Sequence, residues 1–326
     1  MAGRASVVES VTSAPRAISR LAEKRGTRAT PAPPSARRRS ISVLPVSMIG
    51  VTPRLCSARA RSKSCRWLSP RSVRTKGRRT SSSGVNGSSA GGTTNAGSVD
   101  PLPQIADICR RGGLWMHVDG AFGASVLLTR YRDMLKGIER ADSLSWDAHK
   151  WLFQTYSCSM LLVRDERTLL KSFSAHPEYL ADLEGDESLV NPWDLGPELT
   201  RPARGLKLWF TLQVMGADGM ADCIEHGFAL ARWAEEELRA TPEVEIISPA
   251  QMAMVNFRFA PAGTSEEERD ELNARAATRM RASGYAGVFT TELSGKKVLR
   301  LCAIHPRAHK GEMREVVRRL AAFARE

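Results

Sequence analysis

From about Gly91 onward the sequence alternates short, uninterrupted apolar runs with longer amphipathic ones. Leu114 to Val118, Ser143 to Trp146 and Ser159 to Val163 are too short for independent helices, and they lack the strict polar alternation of a strand with one wet face. Strands of that kind are buried on both sides, as when helices cover a largely parallel sheet. The expected class is therefore α/β. Asp100 and Pro101 read as the N-cap and first residue of a helix with an apolar stripe at Ile105, Ile108 and Cys109, closed by Gly112 and Gly113. A further helix is expected over Tyr131 to Glu139. Two more follow over Thr200 to Met215 and Gly219 to Ala240, the second with an apolar face at Ile224, Phe228, Ala231 and Leu238. Strands at Met252 to Phe259 and Val298 to Ile304, with helices at Ser265 to Ala282 and Lys310 to Arg325, suggest a smaller C-terminal α+β domain.

The front of the chain is of another kind. Residues 1–90 hold 19 lysines and arginines against Glu9 and Glu23, so the formal charge of +13 arises there. Serine, proline and threonine are frequent in the rest, and such a stretch buries too little apolar surface to offset chain entropy. Residues 1–88 are expected to be disordered, with Ile41 to Val51 as the one short strand candidate. The expected division is 1–88, then 89–215 as part of a large domain, then 216–326 as a linking helix and small domain. An arginine-rich, acid-poor start also suits a transit peptide or a nucleic-acid-binding arm. Trp67 is the only aromatic residue in 1–88, which argues against specific nucleic-acid binding. The six cysteines are scattered without C-x-x-C spacing, so neither a disulfide framework nor a metal site is expected, and a reducing cytoplasm is the expected location. No stretch approaches the roughly 18 apolar residues of a membrane span, so no membrane association is expected.

Three features fall at the ends of expected strands, where open α/β sheets bind ligands: Gly92-Thr93-Thr94, Asp119, and the run Asp147-Ala148-His149-Lys150. Together they suit pyridoxal chemistry. That chemistry needs an amine to condense with an aldehyde, and a carboxylate beside a pyridine nitrogen to keep it protonated. Lys150 and Asp119 fit these roles. The hydroxyls of Thr93 or Thr94 suit the ring substituents, and His149 suits the phosphate. His117, inside the strand before Asp119, reads as a packed histidine.

The stretches Gly92-Thr-Thr-Asn-Ala-Gly-Ser-Val-Asp-Pro, Leu114-Trp-Met-His-Val-Asp-Gly-Ala-Phe-Gly and Trp146-Asp-Ala-His-Lys-Trp resemble the group II pyridoxal-phosphate-dependent amino-acid decarboxylases. That resemblance implies the fold of PLP-dependent transferases (fold type I), the cofactor pyridoxal 5'-phosphate, an amino-acid substrate losing carbon dioxide, and a homodimer. It implies that Lys150 forms the Schiff base, that Asp119 partners the pyridine nitrogen, and that Ala121 lies under the ring. Thr94, Asp147 and His149 would line the cofactor. His176-Pro-Glu-Tyr-Leu resembles the mobile catalytic loop, with Tyr179 as proton donor after carbon dioxide leaves. Thr200-Arg-Pro-Ala-Arg resembles the helix start that follows, giving Arg201 and Arg204 structural or active-site roles. Val298-Leu-Arg-Leu resembles the segment whose arginine, here Arg300, approaches a substrate carboxylate.

The family's usual N-terminal elements have no counterpart in residues 1–88. Those elements include phosphate-binding loops and a histidine stacked on the cofactor, and this sequence has no histidine before His117. A change of reading frame or a truncated gene model is one expectation, and a lineage-specific extension is the other. Three functional alternatives stay open: a catalytically dead homologue, another pyridoxal activity such as an aldehyde synthase or aminotransferase, and a basic nucleic-acid-binding protein. Tyr179 favours decarboxylation, since the aldehyde-forming relatives carry phenylalanine in this loop.

Overall fold

The computed structural model describes residues 42–46, 86–173 and 191–326. The disorder expected over 1–88 concerns residues that lie mostly outside these, and so do His176 and Tyr179. The first sheet has the order β1-β5-β4-β3-β2, with β1 at Ser42–Val46, β2 at Asn86–Ala90, β3 at Trp115–Asp119, β4 at Ser143–Asp147 and β5 at Ser159–Val163. β1 lies within the apolar Ile41 to Val51 stretch.

The pairings β2 with β3 and β3 with β4 are parallel, so the carboxyl ends of these three strands lie side by side. β5 returns antiparallel to β4, and β1 pairs antiparallel with β5, which makes the sheet mixed rather than largely parallel. The reason is the connection after β4. It holds no crossover helix, only a long hairpin loop through Lys150, so the next strand runs back beside its predecessor.

Helix α1, Leu102–Gly112, crosses from β2 to β3 and ends on Gly113 in the left-handed conformation, as the paired glycines suggested. Its expected cap is absent. The Asp100 carboxylate instead accepts from the Ala90 amide at 2.7 Å and ties the helix entrance to the end of β2. The helix expected over Tyr131 to Glu139 is two short 3₁₀ turns, Arg132–Leu135 and Ile138–Arg140. Gly137 between them has φ of 99°, and a Cβ there would lie 2.7 Å from the Pro103 nitrogen. Close packing on the start of α1 therefore interrupts the helix.

After α2, Arg167–Phe173, the long helix α3 runs from Leu206 to Ala240. It begins later than expected because Pro202 biases Arg201 toward extended backbone and the chain turns through Ala203 to Gly205. The two expected helices form one element, broken at Gly216, whose φ of 70° and ψ of 176° are not helical. The second sheet, β6-β7-β9-β8, is antiparallel throughout: β6 Val244–Gln251, β7 Met254–Phe259, β8 Phe289–Leu293 and β9 Lys296–Cys302. Helices α4, Glu266–Ala282, and α5, Lys310–Arg325, cover one face, each opened by a capping box, on Ser265 and on His309.

Two apolar cores result, and α3 serves both. Its Leu208, Met220, Ile224 and Phe228 join Met116, Val118, Leu144 and Trp146 of the first sheet and Trp151 of the loop after β4. Its Leu230, Ala234 and Leu238 pack with Phe257 and Leu299 of the second sheet, Met280 of α4 and Leu320 of α5. Among the described residues no helix is long and apolar enough to cross a membrane.

Candidate active site

The strand order places three segments at one edge of the sheet: Gly91–Thr94 after β2, Asp119–Ala121 after β3, and Asp147–Lys150 after β4. Hydrogen bonds continue the ladder past the strand ends. The Gly91 amide donates to the Asp119 carbonyl at 2.8 Å, the Gly120 amide to the Ser145 carbonyl at 3.0 Å, and the Asp147 amide to the Ala121 carbonyl at 3.1 Å. Gly123 tightens the arrangement, since a Cβ there would lie 1.9 Å from the Gly91 carbonyl oxygen.

Strand β4 carries polar groups at alternate positions, Ser143, Ser145 and Asp147, which therefore share one face. Ser143 stands opposite His117 and Ser145 opposite Asp119 in the register with β3. The Ser143 hydroxyl accepts from the Trp115 indole N–H at 2.9 Å and lies 2.8 Å from His117 Nδ1. Burial pushes the His117 imidazole below its usual range, against a smaller opposing pull from Asp119. This is the packed histidine anticipated from sequence.

Asp119 is exposed and its carboxylate is held on one side only. Oδ1 accepts from the Ala121 amide at 3.0 Å and from the Ser145 hydroxyl at 3.2 Å, while Oδ2 accepts no hydrogen bond among the described residues. An oriented carboxylate with one open oxygen is what a protonated ring nitrogen requires as a partner. The next residues, Gly120 and Ala121, have no bulk to obstruct a flat ring.

Lys150 sits in the loop between β4 and β5, with Nζ 2.9 Å from Asp147 Oδ2. That oxygen also lies 3.8 Å from His149 Nε2. The other ring nitrogen of His149 is fixed by the backbone of Cys158, whose carbonyl oxygen and amide nitrogen lie at 3.0 and 3.2 Å. The Tyr156 ring meets His149 edge-on at 4.7 Å. Trp151, fully buried, anchors the loop by stacking on Phe122, with ring centroids 4.5 Å apart.

Thr94 is exposed on the loop after β2, and its carbonyl accepts from Arg300 Nε at 2.8 Å. Arg300 thus stands beside the cofactor-side loop, though its sequence position is remote. Arg204 forms a two-point pair with Glu198, at 2.8 and 3.3 Å, and its carbonyl accepts from the Cys158 thiol at 3.1 Å. It braces the loop that carries His149. Arg201 is half-buried, and burial lowers its guanidinium from the usual range.

The structure therefore brings Thr94, Asp119, Ala121, Asp147, His149 and Lys150 to one sheet edge, with Arg300 against the first segment. Sequence reasoning missed Ser145, Phe122 and the grip of the second sheet on residues 94–95. The alternating polar residues of β4 were the available signal for Ser145. The donor set fits pyridoxal phosphate: a lysine amine, an oriented carboxylate with an open oxygen, and a small residue where the ring would lie. Among the described residues no group of three or more histidine, cysteine or acidic side chains suits a metal ion.

Solved structures of similar fold define the class. The crystal structure of Oryza sativa TDC with PLP and tryptamine matches with a TM-score of 0.67 at 31% identity, covering 73% of this chain and 50% of that one. Mouse CSAD matches with a TM-score of 0.68 at 30% identity, covering 73% and 51%. These are PLP-dependent decarboxylases of fold type I. Residues 85–260 match the pyridoxal-dependent decarboxylase conserved domain, and the chain belongs to that family. An aromatic-L-amino-acid decarboxylase of Bacillus atrophaeus is 40% identical over 238 residues, 72% of this chain and 50% of that protein. The chain spans about half the length of the curated relatives it matches.

Proposed function

We propose that the chain is the cofactor-lysine part of an enzyme that decarboxylates an L-amino acid, releasing an amine and carbon dioxide. The observation that carries this reading is Asp119: Ser145 and the Ala121 amide hold one oxygen, the other accepts no hydrogen bond among the described residues, and the residue ends the strand beside the one that leads to Lys150. Bound pyridoxal phosphate supplies an electron sink for the pair of electrons left when the carboxylate departs.

Lys150 Nζ is the amine that holds the cofactor aldehyde, and Asp147 at 2.9 Å keeps it near the strand end until then. Asp119 Oδ2 would accept from the protonated ring nitrogen and so favour that protonation. Ala121 leaves the lower face of the ring clear, and the Thr94 hydroxyl and His149 Nε2 are assigned to the ring substituents and the phosphate. Tyr179 is assigned as the donor that returns a proton to the substrate carbon, and Arg300 as a group near the substrate carboxylate. An aromatic amino acid is the favoured substrate, supported by the aromatic-L-amino-acid decarboxylase among the relatives.

The proposed limits, 89–215 for part of the large domain and 216–326 for the linking helix and small domain, are supported by the break at Gly216; the linking helix packs on the first core through Met220, Ile224 and Phe228 and enters the second at Leu230. Residues 1–88 are proposed to lack a stable fold outside Ser42–Val46 and the start of β2, which form strands. A homodimer is proposed from the family. A cytoplasmic location is proposed from the cysteines, which are free among the described residues.

The test is carbon dioxide release from L-tryptophan, L-tyrosine and L-phenylalanine with added pyridoxal phosphate, by the full chain and its Asp119→Asn variant. Release lowered by orders of magnitude in the variant, at about 1.4 kcal/mol of barrier per decade, supports the reading. Equal release from both contradicts it.

A further inference from the structure

The loop from Gly91 to Pro101 carries Thr94 and would be an exposed connection on its own. Its internal bonds are few: the Thr93 amide to the Ser98 carbonyl, the Gly97 amide to the Thr93 carbonyl, and the Ser98 amide to the Thr93 hydroxyl. One side rests on Gly123, in the turn that follows β3. The other side faces the second sheet, which lies more than 150 residues further along the chain.

On that sheet Asn256 of β7 stands directly opposite Arg300 of β9 in the antiparallel register, so the two side chains share a face. Both reach the loop. Arg300 Nε donates to the Thr94 carbonyl at 2.8 Å, and Asn256 Nδ2 donates to the Asn95 carbonyl at 3.1 Å. Met254, two residues before Asn256 and on the same face, completes the grip. Its Sδ lies 3.1 Å from Arg300 Nη2, and its terminal methyl would touch a Cβ placed on Gly97. Asn256 is fully buried, and its Oδ1 has no hydrogen-bond partner among the described residues.

The geometry points to a positioning role for Arg300 and Asn256: as a pair, they clamp the carbonyls of residues 94 and 95 so that the second sheet fixes the loop presenting Thr94 to the cofactor. The role concerns two backbone carbonyls, which call for hydrogen-bond donors rather than for a positive charge. It rests on the proposed function only in naming what Thr94 faces. It differs from the substrate-carboxylate role, which calls for the charge.

Hydrogen exchange of segment 93–98 in the full chain without cofactor tests the clamp, followed by titration of each form with pyridoxal phosphate. Arg300→Met should speed exchange of the segment about tenfold, as expected for one lost hydrogen bond, and weaken cofactor binding by a similar factor. Arg300→Gln, neutral but still a donor, should restore most of both. Should Arg300→Met fail to fold, Asn256→Ser carries the test, because it should free the same segment by a comparable factor. Unchanged exchange in the folded variants overturns the proposal, and so does Arg300→Gln behaving like Arg300→Met. The exchange readout needs no cofactor. A chain that never binds pyridoxal phosphate would therefore contradict the proposed function while the clamp remained testable.

Discussion

Trp151 stacks on Phe122 at a centroid distance of 4.5 Å and an interplanar angle of 12°, which locks the residue after Lys150 to the residue after Ala121. Phe228 of α3 closes on the same indole at 5.5 Å. The two segments that carry Lys150 and Ala121 are thus joined through one aromatic contact. Trp151→Ala should destabilise the chain by about 3–5 kcal/mol, the usual cost of emptying a large aromatic site. Denaturant midpoints measure it, and a change below about 1 kcal/mol would show that the contact is not structural.

Ser145→Ala should leave the fold intact, because the side chain is only part-buried and the change removes a single hydroxyl. It removes one of two donors to Asp119 Oδ1. A hydrogen bond to a charged group contributes about 1.5–3 kcal/mol, so turnover should fall roughly tenfold to a hundredfold with an unchanged melting temperature. Ser145→Thr should recover part of the loss. Unaltered kcat in Ser145→Ala would remove the serine from the account.

His117 gives the chain a pH dependence whose sign is fixed by burial. Its folded-state pKa is depressed below the ordinary value of about 6.5, so between the two values the unfolded chain binds more protons than the folded one. Its contribution to stability is complete above about pH 6.5 and is lost as pH falls toward the folded-state value. Melting temperature should therefore drop on acidification from neutral pH, and the drop should shrink in His117→Gln. A variant as acid-sensitive as the parent would assign the effect elsewhere.

Much of this site was legible in the sequence because it depends on strand ends. Leu114 to Val118 and Ser143 to Trp146 are apolar enough to be strands on composition, so Asp119 and the 147–150 run had to follow them. What was not legible came from contacts between distant segments. The antiparallel return of β5 depends on a loop with no helix, and the runs flanking it look the same in either direction. The turns at 132–140 depend on how closely Gly137 meets Pro103, which local propensity does not encode. Strands β6 and β8 lacked signal for another reason: their side chains are mostly part-exposed, so no apolar run marks them. Arg300 was visible as a candidate, but its contact with Thr94 spans 206 residues and exists only once two sheets have packed.

Gly123→Ala should displace the loop after β2, since the added methyl would fall 1.9 Å from the Gly91 oxygen. Backbone must shift to admit it, at a cost of about 1–3 kcal/mol for overpacking. The affinity for pyridoxal phosphate should fall with stability, and equal affinity and melting temperature would contradict the packing described.

Lys150 is proposed as the amine presented to pyridoxal phosphate. Incubating the full chain with the cofactor, reducing with borohydride and mapping the peptides by mass spectrometry tests it directly. The account predicts a pyridoxyl group on Lys150, and none in Lys150→Ala. A stoichiometric label on Lys207 or any other lysine, with Lys150 unmodified, would contradict it.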